Sequence, residues 1–162
     1  MKKTVSGAIG VVGLALLVLA GCAANTPSPG GGGSADAGGS LSTTSTSVGD
    51  IIVDGTGMTV YVYDQDTANS GKSACTGSCA TQWPAVKTTK ATPTVAGITG
   101  TVGTIDAVGG GKQVTINGLP LYTYAGDASA GDLTGQGFGG IWWVVDPAGT
   151  KITEMVTNDR GY

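Results

Sequence analysis

The sequence predicts an all-β domain: a compact sandwich or barrel-like fold of two tandem homologous β-repeats that follow a disordered tether. Three observations predict it. Apolar and polar residues alternate with a period of two through most of residues 48–157, which is typical of strands. Glycine-containing turn signals separate these stretches. The pattern Tyr-x-Tyr-x-x-Asp also occurs twice, as YVYDQD at 61–66 and as YTYAGD at 122–127, 61 positions apart.

The chain begins with the features of a lipoprotein export signal. Two lysines precede an uncharged stretch over residues 8–20. That stretch is shorter than the ~20 apolar residues of a membrane span and suits a signal peptide. LAGC at 19–22 resembles the bacterial lipobox, which implies cleavage after Gly21 and acylation of Cys22. We therefore assign residues 1–21 to a signal peptide and expect palmitate-type lipid on Cys22 to anchor the protein at the extracytoplasmic face of the cell membrane.

A flexible tether is expected next, over residues 22–47. Apart from the cysteine it consists largely of Gly, Ser, Thr, Ala and Pro, which cannot bury enough apolar surface to offset the entropy of ordering. The folded domain is predicted over residues 48–157. Without the two N-terminal lysines, 6 basic residues face 11 acidic ones, a net charge of −5. This acidic balance argues against nucleic acid as a partner, which leaves the membrane, through the lipid, and an unknown envelope ligand or protein.

The two repeats are placed at about 48–90 and about 101–150. In repeat one, strands at Ile51–Val53 and Met58–Tyr63 flank the turn DGTG; in repeat two, VTI and LPLYTY flank the turn NG. Alternation places Tyr61 and Tyr63 on the face opposite Val60 and Val62. The later copy repeats the arrangement, so an approximate internal two-fold is expected. Helix should be scarce, with one short turn near residues 80–83.

These residues together resemble a bacterial family of predicted lipoproteins with a Tyr-x-[Phe/Trp/Tyr]-x-x-Asp motif, whose repeat is described as a secreted repeat of unknown function. The resemblance extends over about residues 48–149 and includes CTGSCATQWP in repeat one and GQGFGGIWWVVDPAG in repeat two. It implies no catalytic residues, because no activity is settled for the family. The motif positions in this chain are Tyr61, Tyr63, Asp66, Tyr122, Tyr124 and Asp127.

The cysteines in CTGSC, Cys75 and Cys79, are predicted to pair. The compartment is oxidising and Cys22 is assigned to lipid, which leaves these two thiols for each other. A structural disulfide is the simpler interpretation. A redox-active dithiol stays open as an alternative, although the spacing is C-x-x-x-C and Lys72 is the only nearby cation.

Carboxylates follow both motif strands, and two interpretations of them stay open. Their side chains could accept hydrogen bonds from loop backbone N–H groups and so organise the turns. Alternatively, oxygen-rich loops could bind Ca²⁺, although DQDTANSG fails the EF-hand pattern because Ala68 occupies a ligand position. The weak Ca²⁺ candidates are Asp64, Asp66, Asp127 and Asp132.

The aromatic residues are expected mainly in the core, with a stacking platform for a sugar or a planar ligand as the alternative. Trp142 and Trp143 are adjacent and must point to opposite sides of a strand, so one of them should be partly exposed. The candidate ligand-facing residues are Trp83, Phe138, Trp142 and Trp143.

We therefore expect a membrane-anchored, non-enzymatic lipoprotein that binds an unknown envelope ligand or partner and needs no cofactor. The chain has no histidine, and Glu154 is its only glutamate, so no nucleophile has an evident partner base. Two alternatives are kept. One is an envelope redox or electron-handling protein that uses the Cys75–Cys79 pair or the Tyr/Trp cluster, and the other is a structural spacer of the envelope.

Overall fold

The computed structural model describes residues 39–156. The predicted signal peptide, Cys22 and the first part of the expected tether lie outside the described residues. Within the described part, the chain forms short strands, one α-helix and one 3₁₀ turn. In chain order they are β1 (Ser40–Thr46), β2 (Gly49–Asp54), β3 (Tyr61–Tyr63), α1 (Ser78–Gln82), β4 (Lys87–Thr88), β5 (Thr94–Val95), β6 (Val102–Asp106), β7 (Lys112–Ile116), β8 (Leu119–Pro120), the 3₁₀ turn Phe138–Gly140 and β9 (Trp142–Val144).

The strands form three small sheets in a sandwich-like arrangement. One has the order β2-β1-β5, the second pairs β3 with β9, and the third has the order β4-β7-β6 with β8 folded back on β7. The prediction of a nearly all-β fold is thus confirmed. The alternative of a closed barrel is not what residues 39–156 form.

The folded part begins earlier than the sequence predicted. Strand β1 lies inside the expected tether and pairs antiparallel with β2 along its whole length, from Leu41 opposite Asp54 to Thr46 opposite Gly49. Serine and threonine dominate β1, and Leu41 is its only fully buried residue. The composition therefore resembled a linker, whereas β2 supplies the backbone partners that hold β1 in a sheet.

The predicted turns are present. In DGTG, the Asp54 carboxylate accepts hydrogen bonds from the Thr56 and Met58 backbone N–H groups at 2.8 and 3.0 Å. In NG, Asn117 and Gly118 both adopt positive φ, at 49° and 81°, as a tight two-residue hairpin requires. The second turn joins β7 directly to β8, which begins the motif strand of repeat two.

The two faces of the motif strands enter different cores, as alternation predicted. Val60 and Val62 join an aliphatic cluster with Val114 and Leu121. Tyr61 and Tyr122 point the other way, into a cluster that also contains both buried tryptophans. The motif strands therefore separate an aliphatic core from an aromatic one.

Helix is scarce, as predicted, and α1 lies where a short turn was expected. No helix among residues 39–156 has the length and apolar character needed to cross a membrane.

Candidate functional site

The two motif strands meet at the centre of the molecule. The Tyr61 backbone N–H donates to the Tyr122 carbonyl at 2.8 Å, and the Tyr122 N–H donates to the Tyr61 carbonyl at 3.0 Å. On its other side Tyr61 pairs with Val144 in β9, and Tyr122 pairs with Ala85. This exchange is reciprocal, which is the relation that the expected internal two-fold requires.

The hydroxyl of the first motif tyrosine binds the motif aspartate of the other repeat. Tyr61 Oη donates to Asp127 Oδ2 at 2.8 Å, and Tyr122 Oη donates to Asp66 Oδ2 at 2.6 Å. We call these two pairs the Tyr–Asp clamps. Each tyrosine is at most 1% exposed, so the Tyr61–Asp127 bond is buried and the Tyr122–Asp66 bond is partly buried. The motif occurs twice because each copy completes the other.

Burial sets the electrostatics of the clamps. Burial, followed by the hydrogen bond to the carboxylate, raises the pKa of Tyr61 and of Tyr122 far above the ordinary phenol value, so both remain protonated. Burial also raises the pKa of Asp66, against the opposing hydrogen bonds from Ala74 N–H and Tyr122 Oη. The clamps therefore hold neutral phenols against carboxylates that are poorly solvated.

The second oxygen of each motif aspartate organises the following loop. Asp66 Oδ1 accepts from the Ala74 N–H at 2.7 Å, and Asp127 Oδ1 accepts from the Thr134 N–H at 3.0 Å. This confirms the interpretation that the motif carboxylates bind loop backbone.

The other two Ca²⁺ candidates also have protein partners. Asp132 Oδ2 accepts from the N–H groups of residues 128 and 129 at 2.9 and 2.8 Å. Asp64 accepts from Trp143 Nε1 at 2.8 Å and from Lys151 Nζ at 2.6 Å. Burial acts to raise the pKa of Asp64, and these two bonds outweigh it, so the pKa lies below its usual value. Within residues 39–156, no group of three acidic, Cys or His residues could hold a metal ion.

The second motif tyrosines and the buried tryptophans form a continuous stack of four rings, which we call the aromatic column. Its order is Tyr63, Trp142, Trp83 and Tyr124, with ring centroids 4.2, 3.8 and 4.4 Å apart. The two indoles are almost parallel, at 2°. Every contact in the column joins one repeat to the other, so the column and the clamps bind the repeats together.

Burial contradicts two of the ligand-facing candidates. Trp83 is 2% exposed and Trp142 is 3% exposed, because each indole lies between two other rings of the aromatic column. Trp143 is half-buried, as the adjacency argument predicted for one of the pair, and Lys151 Nζ lies 5.6 Å from the centre of its ring. Phe138 remains exposed.

The predicted disulfide forms between Cys75 and Cys79 and closes the loop that leads into α1. Cys75 is 1% exposed and Cys79 is half-buried. Ser73 links this loop to a clamp: its Oγ lies 2.6 Å from Tyr122 Oη and accepts the Cys75 N–H at 3.0 Å. The disulfide therefore lies beside one clamp, and the burial of Cys75 favours the structural role over thiol exchange.

Repeat two has an open loop where repeat one has the disulfide loop. We call residues 128–140 the repeat-two loop. Phe138, at its end, contacts Tyr124 and Trp83 with ring centroids 5.5 and 5.7 Å apart, so it covers one end of the aromatic column. Met155, whose side chain lies close to Gly137 of the loop, is 59% exposed. A cleft of about 540 Å³ lies between the loop and the last described residues and is lined by Gly131, Asp132, Leu133, Thr134, Gln136, Met155 and Val156.

The corresponding loop of repeat one has a smaller cleft of about 170 Å³. It is lined by Gln65, Asp66, Thr67, Ser70, Lys72, Ser73 and Ala74. The repeats thus share the clamp and the column but differ in the loops that each presents to solvent. In this region Phe138 was a predicted ligand-facing residue, whereas Met155 lies in no repeat or motif that could have indicated it.

The fold and this site define a tandem all-β repeat protein. A family model described as a secreted repeat of unknown function matches the chain twice, at residues 42–87 and 103–146. The chain belongs to this family, as the motif resemblance predicted. No curated protein and no solved structure shows significant similarity to it. A secreted family indicates an extracytoplasmic protein.

Proposed function

We propose that this protein is a lipid-anchored envelope protein that binds an extracytoplasmic ligand or partner through the repeat-two loop, without catalysing a reaction. The clamps and the column act as the scaffold. The loop presents the apolar side chain of Phe138 to solvent, near a cleft that Met155 lines. The proposal adds an anchor and a binding surface to the extracytoplasmic location that family membership indicates.

The anchor is supported by the sequence alone. LAGC at 19–22 follows a charged start and an uncharged apolar stretch, and it offers Cys22 as the acceptor of acyl chains. Two or more chains give stable anchoring, because each buried CH₂ contributes about 0.8 kcal/mol. A Cys22→Ala variant should lose incorporation of a labelled fatty acid and leave the membrane fraction. Retention of both by the variant would contradict the anchor.

The exposed pair of Phe138 and Met155 carries the binding proposal. They are 41% and 59% exposed. Met155 lines a cleft large enough for a small ligand or a peptide side chain, and Phe138 follows two positions after Gln136, which lines the same cleft. The loop is also held in place: Gln136 Nε2 donates to the carbonyls of Ile152 and Glu154 at 2.7 and 2.9 Å. A loop fixed to its neighbour presents these apolar groups without a large ordering cost on binding.

Ligand binding should be visible in tryptophan fluorescence, because the Phe138 ring contacts Trp83 directly. Envelope polysaccharides, haem and metal ions should be titrated separately against the protein. We expect one class to give a saturable signal that Phe138→Ala weakens. Val108→Ala is the matched control, since Val108 is also 41% exposed but lies in the turn between β6 and β7.

The binding proposal would be overturned if none of the three classes gave a binding signal and no envelope protein was captured by pull-down. The structural-spacer alternative predicts a different result for Phe138→Ala. If the spacer alternative holds, Phe138→Ala should leave cellular function unchanged as long as the domain stays folded.

A further inference from the structure

The aromatic column runs through the interior from one half-buried ring to another. Its ends, Tyr63 and Tyr124, are partly accessible to solvent, whereas Trp142 and Trp83 between them are buried. Successive rings are stacked with centroids 3.8–4.4 Å apart. Rings in face-to-face contact at these distances share π overlap, and tryptophan and tyrosine are the side chains most easily oxidised by one electron.

Both clamp tyrosines adjoin the column. Tyr61 meets Trp83 edge to face with ring centroids 5.4 Å apart, and Tyr122 meets Trp142 in the same way at 5.2 Å. Each indole of the column therefore has one clamp phenol beside it. The arrangement is repeated by the internal two-fold, so the molecule contains two equivalent branches.

Each clamp also supplies a proton acceptor, which a buried phenol needs in order to lose an electron. Removal of an electron from tyrosine makes its hydroxyl strongly acidic, and a buried site offers no bulk water to take the proton. Here Asp127 Oδ2 and Asp66 Oδ2 already accept the two hydroxyls at 2.8 and 2.6 Å. Among the described residues, the column tyrosines have no hydrogen bond at their hydroxyls that would serve the same purpose.

We propose that the aromatic column carries oxidising equivalents, entering at Tyr63 or Tyr124, to the clamp tyrosines Tyr61 and Tyr122, whose phenolic protons pass to Asp127 and Asp66. This activity is independent of ligand binding by the repeat-two loop. The partner is a one-electron oxidant, namely a radical species formed on the extracytoplasmic side of the cell membrane.

The step balances in electrons and protons. The radical oxidant gains one electron from the column and becomes its anion. The electron vacancy moves through the indoles and is filled by an electron from a clamp phenol. The O–H bond of that phenol breaks as its proton moves along the existing hydrogen bond to the carboxylate oxygen. The products are a neutral tyrosyl radical, a neutral carboxylic acid and the reduced oxidant.

The test is pulse radiolysis of the full-length protein with azide radicals as the oxidant. Every protein carries Tyr162→Phe and Trp143→Phe, so that the oxidisable Tyr and Trp side chains are confined to the column and the clamps. We expect an indolyl radical to convert to a phenoxyl radical at a rate independent of protein concentration and slower in D₂O, because a proton moves with the electron.

Variants locate the final radical. Tyr63 and Tyr124 also stack on the indoles and could become phenoxyl radicals, so the clamp variant carries Tyr61→Phe and Tyr122→Phe in a background of Tyr63→Phe and Tyr124→Phe. It should lose the conversion phase, since the rings remain but the hydroxyls do not. The matched pair Tyr63→Phe and Tyr124→Phe should keep the conversion after slower entry of the oxidant. Thermal unfolding checks that each variant is folded.

A conversion phase that persists in the clamp variant, or whose rate scales with protein concentration, would overturn the proposal. Should the clamp variant fail to fold, the pair Asp66→Asn and Asp127→Asn serves instead, because an amide accepts the hydrogen bond but not the proton. An unchanged rate in that variant, or an identical rate in D₂O for the starting protein, would equally overturn it.

Discussion

The Tyr61–Asp127 clamp gives the sharpest prediction about stability. The change Tyr61→Phe removes one hydroxyl and keeps the ring against Trp83. It deletes the bond to Asp127 Oδ2 at 2.8 Å and the weaker bond from the Gly135 N–H at 3.3 Å. A buried hydrogen bond to a charged group contributes about 1.5–3 kcal/mol. For a domain of this size that corresponds to a fall in Tm of roughly 6–12 °C.

The measurement is urea unfolding at neutral pH, followed by tryptophan fluorescence, with Tyr63→Phe as the matched control. Tyr63 stacks on Trp142 but has no hydrogen bond at its hydroxyl among the described residues. Tyr63→Phe should therefore change the free energy of unfolding by no more than about 0.5 kcal/mol. If Tyr61→Phe costs no more free energy of unfolding than Tyr63→Phe, the clamp does not stabilise the fold as argued.

A double-mutant cycle tests that the clamp joins different repeats. Tyr61→Phe should couple with Asp127→Asn by more than about 0.5 kcal/mol, the limit expected for independent sites. The effects of Tyr61→Phe and Asp66→Asn on the free energy of unfolding should be additive, although Asp66 belongs to the same motif copy as Tyr61. Coupling within the copy and additivity across the copies would refute the cross-repeat arrangement.

Three further changes have defined outcomes. Replacing Cys75 and Cys79 by serine should lower the free energy of unfolding by about 2 kcal/mol, the chain-entropy value for so short a loop; no change in urea unfolding would contradict the structural role. Gly135→Ala should cost about 1–3 kcal/mol by overpacking, since its Cβ would lie 2.9 Å from Trp83 Cη2, and a neutral result would show that the loop adjusts freely. The raised pKa of Asp66 stabilises the fold fully below the unfolded value of about 3.9, and this stabilisation is lost as pH rises through the folded pKa. The difference in stability between the wild type and Asp66→Asn, measured against pH, should therefore fall across that window, and a flat or rising difference would contradict it.

Local signals in the sequence were enough for much of the fold. The NG turn is encoded by two residues that tolerate positive φ, and the structure has both in that region. The opposite orientation of Tyr61 and Val60 follows from alternation alone, and they do enter different cores. The motif also predicted the family correctly.

Features that depend on how the repeats meet could not be predicted in the same way. The pairing of Tyr61 with Asp127 spans 66 residues and depends on the register between motif strands, which no local pattern encodes. The burial of Trp83 follows from its contact with Trp142 in the other repeat. Strand β1 was not predicted because its composition resembles a linker. The 61-residue offset between the repeats nevertheless aligns β1 with β6, so comparison of the two repeats would have predicted it.

The reciprocal contacts between the motif copies are those of an isologous dimer, in which the same patch serves both partners. Here the two partners share one polypeptide, so each half is always present at the same amount as the other. This covalent pairing frees the halves from having to remain identical. One half has a loop closed by a disulfide, and the other has an open glycine-rich loop. Two identical separate chains could not differ from each other in this way.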